Sequence, residues 1–258
     1  MLQLLKKFKY QYIDSKKGFI GDVIALHDYK AVYFAIPKVA NSSLKSTFLS
    51  VLKNKIDDKY LNPEDPTRQG YVFMNPGTVS YLKKERILID KLNGLEKDYF
   101  TFGFVRNPWD RLVSCYFDKV KKKNRITGQA LNNSQFTDGV SNAFLLAYRN
   151  KVSKDMSFRE FAEFVCETPD WKSNNHFKSQ HLFLSDTNGK IVCGCIGKLE
   201  TLPADFEQIA QQCGFPHLSI PQKLKSDRDK YRTYFDDELA QKVAKRYQKD
   251  LDLFGYTF

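Results

Sequence analysis

The sequence predicts an α/β domain whose central, mostly parallel sheet is flanked by helices. Three observations predict it. An apolar run leads through a short loop into an amphipathic helical stretch at residues 31–52. The same strand–loop–helix order returns at residues 99–120. No repeat, low-complexity tract or long linker divides the chain, so residues 1–258 read as a single domain.

Residues 19–30 (FIGDVIALHDYK) predict a strand that turns at His27-Asp28 into a second one. Ala31 to Ile36 is that second strand: apolar, β-branched and aromatic, the composition of a buried strand. Pro37 stops it, because proline lacks the N–H that a central ladder needs. Pro37 to Asn41 is a loop, and Asn41, Ser42 or Ser43 can cap the helix that follows. Leu44, Phe48, Val51 and Leu52 recur at helical spacing and give that helix an apolar face. A strand, a tight loop and a helix N-terminus make an anion site: backbone N–H groups point into the loop and the helix dipole adds roughly half a positive charge. Lys38 adds a full charge, and Ser42 and Ser43 add hydroxyls, which suits a phosphate or a similar group. The loop is not a Walker A loop, since it has no glycine and its lysine comes first.

Residues 55–70 are polar, with Pro63, Pro66 and Gly70, and read as a surface loop; Val79 to Ile89 reads as a helix ending near Asn93-Gly94. Tyr99 to Val105 is another aromatic strand, with Arg106 at its carboxyl end, where ligands bind in open α/β sheets. Asn107 suits a helix cap and Pro108 the first helical position. Leu112, Val113, Tyr116, Phe117 and Val120 form the buried face of that helix. Ser114, two helical turns in, can share one anion with the Arg106 guanidinium. Arg111 and Lys119 to Lys123 read as a solvated helix end. Lys223, Lys225 and Arg228 lie in a basic loop before a last amphipathic helix, Tyr231 to Tyr247, with Leu239 and Val243 facing inward.

The hydrophobic fraction of 42% excludes a disordered chain, and 21 Phe with 14 Tyr predict a ring-rich core. A formal charge of +11 calls for an anionic partner without choosing among nucleotide, acidic sugar, nucleic acid and membrane surface. Cys115, Cys166, Cys193, Cys195 and Cys213 are odd in number and lack zinc spacing, which predicts reduced thiols. No apolar stretch has the length of a signal peptide or of a bilayer span, so the expected location is cytoplasmic. Leu2, Leu4, Leu5 and Phe8 beside Lys6, Lys7 and Lys9 give the N-terminus the means to touch a membrane surface.

Two motifs carry a family resemblance. PKVANSSLKS (37–46) resembles the 5′-phosphosulfate loop of sulfotransferases that use 3′-phosphoadenosine 5′-phosphosulfate (PAPS), and FGFVRNPWDRLVSCYFDKV (102–120) resembles their 3′-phosphate segment. HFKSQ (176–180), IGKLETL (196–202) and the tail YQKDLDLFGYTF (247–258) are similar to segments of the carbohydrate sulfotransferases that modify chondroitin and the HNK-1 epitope. The resemblance implies a P-loop-like three-layer fold and sulfuryl transfer from PAPS to a hydroxyl of a glycan or polysaccharide, with no metal. It implies that the loop Pro37, Lys38, Val39, Ala40, Asn41, Ser42 and Ser43 holds the 5′-phosphosulfate, that Arg106 and Ser114 hold the 3′-phosphate, and that Lys223 and Arg228 close over the nucleotide. Lys38 also steadies charge on the leaving oxygen. The acceptor hydroxyl calls for a general base. His176 is the first choice and His181 the second, with Glu64, Glu85 and Glu96 still open because residues 51–100 contain no histidine. Two other readings stand beside this one. A P-loop kinase-like enzyme would need magnesium and the absent Walker glycines. A non-catalytic basic module would bind anionic glycan or nucleic acid; nucleic acid is not expected, because the aromatics sit within apolar runs rather than among Lys and Arg.

Overall fold

The computed structural model describes residues 22–51, 98–121, 144, 147–148, 151–186, 188–216 and 230–258. In chain order these form β1 (Asp22–Leu26), β2 (Ala31–Ala35), α1 (Asn41–Val51), β3 (Phe100–Val105) and α2 (Pro108–Tyr116). There follow α3 (Phe158–Glu167), β4 (Cys195–Lys198), α4 (Leu202–Cys213), α5 (Asp237–Arg246) and α6 (Gln248–Phe254). The basic loop with Lys223, Lys225 and Arg228, the polar loop 55–70, the helix expected at 79–89 with Glu64, Glu85 and Glu96, and the N-terminal segment all lie outside the described residues. The chain divides into two compact units, one of residues 18–106 and 180–226, the other of residues 1–17, 107–179 and 227–258.

The first unit is built on a four-stranded sheet of order β1-β2-β3-β4. β1 runs antiparallel to β2 through a tight turn at His27–Tyr29, as the apolar runs on either side require. β2, β3 and β4 are parallel. The expected α/β class therefore holds, with one antiparallel edge strand on a parallel sheet. β2 is buried along its whole length, which is why its residues run apolar without alternation. Phe34 pairs with Gly103 and Val105 with Lys198, so the parallel strands end level. The chain thus leaves β2 at Ile36–Pro37, β3 at Arg106 and β4 at Leu199 along one carboxyl edge. Rings fill the core, with Tyr33, Phe48 and Phe102 within 5.7 Å of one another between centroids. Gly197 is needed where it stands: a Cβ there would meet the Phe104 ring at 2.6 Å.

The second unit is helical. Asn107 caps α2, its Oδ1 accepting from Trp109 N at 3.1 Å and Asp110 N at 3.4 Å, with Pro108 at the first position. Of the five residues expected on the buried face, Leu112, Val113, Tyr116 and Val120 are buried, together with Trp109, Phe161 and Phe177, whereas Phe117 is only half-buried. The helix is shorter than the apolar pattern suggests, because a π-helical turn, Phe117–Lys121, takes over after Tyr116. The expected helix from Tyr231 to Tyr247 is also shorter. Asp236 is extended, with its carboxylate accepting from Leu239 N at 2.9 Å, so α5 starts at Asp237 and a 3-10 turn, Tyr231–Tyr234, stands before it. Leu239 and Val243 do face the core. No helix among the described residues is long and apolar enough to cross a membrane.

Candidate functional site

The carboxyl edge of the sheet carries the first group of site residues. Lys38 and Ala40 both take positive φ, 72° and 55°, in a loop without glycine. Each L-residue held there costs roughly 1–2 kcal/mol, a strain that persists where surrounding contacts impose it. One such contact is explicit: Arg106 Nη1 donates to the Lys38 carbonyl at 3.0 Å. The two resemblance motifs, 68 residues apart in sequence, therefore meet at one loop. Val39 is buried beneath it.

α1 begins at Asn41, and the first helical bond runs from Leu44 N to Ala40 O at 3.0 Å. The cap position therefore belongs to Ala40 rather than to Asn41, Ser42 or Ser43, which fall in the first turn. Asn41 Oδ1 accepts from the Tyr33 hydroxyl at 3.3 Å. Ser43 is 4% exposed, and its hydroxyl makes no hydrogen bond among the described residues. A buried donor without an acceptor among the described residues, at a helix start with no acidic residue in its first turn, suits an anion. The Ser42 side chain is outside what the structure describes.

Arg106 is itself held by a residue to which the sequence assigns no role. Gln180, fully buried, accepts from Arg106 N at 3.0 Å and donates from Nε2 to Arg106 O at 2.8 Å. Its primary amide thus continues the β3 ladder by one rung. Gln180→Ala is expected to destabilise the fold by about 2–3 kcal/mol in urea denaturation, because two backbone groups lose their partner. Lys198 stands at the same strand edge, paired in register with Val105. Both residues lie in the HFKSQ and IGKLETL segments, and that membership was the available signal.

Ser114, on α2, and His176 belong to the helical unit. His176 is half-buried; Asn174 Oδ1 accepts from its backbone N at 3.0 Å and lies 2.6 Å from its Nδ1. The turn around it is pinned from several sides. Arg111 donates to Lys178 O at 2.7 Å and Asn175 O at 3.0 Å. Arg111 is only 2% exposed, which corrects its reading as part of a solvated helix end: those two carbonyls replace its water. Lys119 is buried as well, 3.0 Å from Asp118. Burial pushes the Tyr247 phenol pKa up, and its hydroxyl donates to Phe177 O at 2.5 Å. Ser179 donates from N and Oγ to the Asp170 carboxylate at 2.9 and 2.8 Å, and Arg246 grips the other side of that carboxylate. Lys178 is buried at 4% exposure; burial lowers its pKa and the charge of Asp170 partly offsets this.

His181 is buried in the sheet unit, in the turn His181–Phe183. All five cysteines are free thiols. Burial pushes Cys166 to about 11 and Cys213 to about 12, and raises Cys193, so none of these three supplies a thiolate near neutral pH. No cluster of His, Cys, Asp or Glu among the described residues is arranged to hold a metal ion.

Known proteins give the same direction. Carbohydrate sulfotransferase 11 of Mus musculus is 25% identical over 248 residues, covering 89% of this chain and 65% of that protein. Carbohydrate sulfotransferase 10 of Danio rerio is 26% identical over 264 residues, covering 93% and 68%. Carbohydrate sulfotransferase 14 of Danio rerio is 24% identical over 253 residues, covering 93% and 64%. The chain thus spans 65% of the length of the carbohydrate sulfotransferase 11 it matches in mouse. No solved structure gives a significant match. The model of the sulfotransferase family matches residues 22–257, both ladder-edge motifs included, and the chain belongs to that family.

Proposed function

We propose that the chain transfers a sulfuryl group from PAPS to a hydroxyl of a carbohydrate, either a polysaccharide or another glycan. One observation carries this reading: the Arg106 guanidinium and the Lys38 loop meet at the carboxyl ends of parallel strands, through the 3.0 Å bond to the Lys38 carbonyl. That is the edge where an α/β sheet receives a ligand. A P-loop-like three-layer arrangement belongs to the same proposal.

Bound PAPS supplies a sulfuryl group already attached to a phosphate leaving group. Pro37, Lys38, Val39, Ala40, Asn41, Ser42 and Ser43 hold its 5′ end through backbone N–H groups and hydroxyls. Arg106 and Ser114 hold the 3′-phosphate, and Lys223 and Arg228 add charge over the nucleotide. Lys38 places its ammonium against the oxygen that gains charge as the sulfur–oxygen bond breaks. His176 accepts the proton of the acceptor hydroxyl as that oxygen bonds to sulfur. A cytoplasmic location, with the basic N-terminal stretch at a membrane surface, completes the proposal; fractionation of cells making the full chain tests it.

The direct test is transfer of labelled sulfate from PAPS to polysaccharide acceptors, with calorimetry of the product nucleotide PAP. Micromolar PAP binding without magnesium is expected. Arg106→Ala is expected to weaken it roughly 10- to 100-fold, the worth of a charge-assisted hydrogen bond to phosphate. Binding that requires ATP and magnesium, or steep salt dependence with no effect of Arg106→Ala, would overturn the reading.

A further inference from the structure

We propose that Asn174 is a positioning residue that fixes the tautomer of His176, so that Nε2 is the basic nitrogen. This rests on the reading of His176 as the base. Two nitrogens of His176 converge on one atom of the Asn174 side chain. The His176 backbone N, which can only donate, lies 3.0 Å from Oδ1. That contact identifies the atom as the amide oxygen, because an NH2 group there would face a donor. The ring Nδ1 lies 2.6 Å from the same oxygen. An amide oxygen only accepts, so Nδ1 must carry a proton. In a neutral imidazole the lone pair then belongs to Nε2.

The surroundings make this a fixed orientation. Asn174 O accepts from Phe177 N at 3.0 Å and from Lys178 N at 2.9 Å, closing a short turn around His176. The carbonyls of Asn175, Phe177 and Lys178 are taken by Arg111 and Tyr247. The ring is therefore tied at one nitrogen to a turn whose backbone is itself anchored. The carboxylate of a Ser-His-Asp triad orients its histidine by the same logic, with the difference that a neutral amide adds no charge to steady an imidazolium.

The test uses the full chain with three variants. In wild type, the 15N shifts of the neutral His176 ring, assigned by comparison with His176→Ala, are expected to report a protonated Nδ1. Asn174→Ala is expected to shift that ring toward the Nε2-protonated form and to lower kcat roughly 10- to 100-fold, with the KM for PAPS unchanged. Asn174→Asp keeps an acceptor at the same place and is expected to restore the Nδ1-protonated tautomer and most of kcat. A ring that keeps its tautomer in Asn174→Ala, or a variant with wild-type kcat, overturns the proposal. A His176→Ala variant that retains kcat sinks the reading of His176 as base instead, and the ring shifts still decide whether Asn174 sets the tautomer.

Discussion

Lys38→Gly is expected to lower kcat for sulfuryl transfer by roughly 10²- to 10³-fold while leaving the protein at least as stable as wild type. On the proposed mechanism, the rate loss follows from removing one donor at the point where charge develops. The stability gain follows from the backbone. Lys38 sits at φ 72°, where a Cβ crowds the following carbonyl and glycine relieves about 1 kcal/mol. The bond from Arg106 goes to the Lys38 carbonyl, a main-chain atom that every substitution retains. Lys38→Met keeps the strain and loses the charge, so it is expected to share the rate loss without the stabilisation. Single-turnover kinetics and thermal unfolding of the two variants separate chemistry from folding. Wild-type kcat in Lys38→Gly would remove the amine from the mechanism.

Arg246→Ala is expected to destabilise the helical unit by about 3–5 kcal/mol in chemical denaturation. Arg246 bonds Asp170 at 2.7 Å and 3.3 Å, Ser179 Oγ at 3.0 Å, Ser173 Oγ at 3.2 Å and Val165 O at 3.3 Å. Its side chain is 9% exposed and that of Asp170 28%, so removing the arginine leaves a largely buried carboxylate that, among the described residues, is served by Ser179 alone. The double variant Asp170→Leu with Arg246→Met is expected to cost less than Arg246→Ala, because no orphaned charge remains. Acid should narrow the gap between wild type and Arg246→Ala. Burial by itself raises the Asp170 pKa, but the hydrogen bonds and charge of Arg246, with those of Ser179, outweigh it and hold the carboxyl below its ordinary value. A depressed carboxyl stabilises the fold above its unfolded pKa, about 3.9, and that contribution is lost as pH falls through the folded value. The difference between the two proteins is thus expected to be full at neutral pH and to shrink below about pH 4. A constant difference down to pH 2 (about two units below the unfolded value) would contradict the pairing.

The sheet unit was largely legible in the sequence, because its signals are local. The run Ala31 to Ile36 is apolar at every position, which only a strand covered on both faces requires, and β2 is buried from end to end. Asn107-Pro108 predicted the start of α2 because cap and first-turn chemistry involve neighbours in sequence. The last helix failed at its start for a related reason. The apolar spacing extends back to Tyr231, but Asp236 offers its carboxylate to Leu239 N and starts the helix there.

The sequence alone determined β1, β2, β3 and the start of α2, since period, proline and capping act within a few residues; α3, α4 and α6 were not read from it. It also carried the motifs that mark Lys38 and Arg106. Tertiary structure alone decided which polar side chains are buried and what they hold. Arg111 reads as solvated until the carbonyls of Asn175 and Lys178, more than sixty residues away, are brought to it. Gln180 is one more amide in the sequence until β3 leaves the N–H and C=O of Arg106 facing it. The physical reason is that a side chain's hydrogen-bonding type is written in its chemistry, whereas its partner is chosen by the fold.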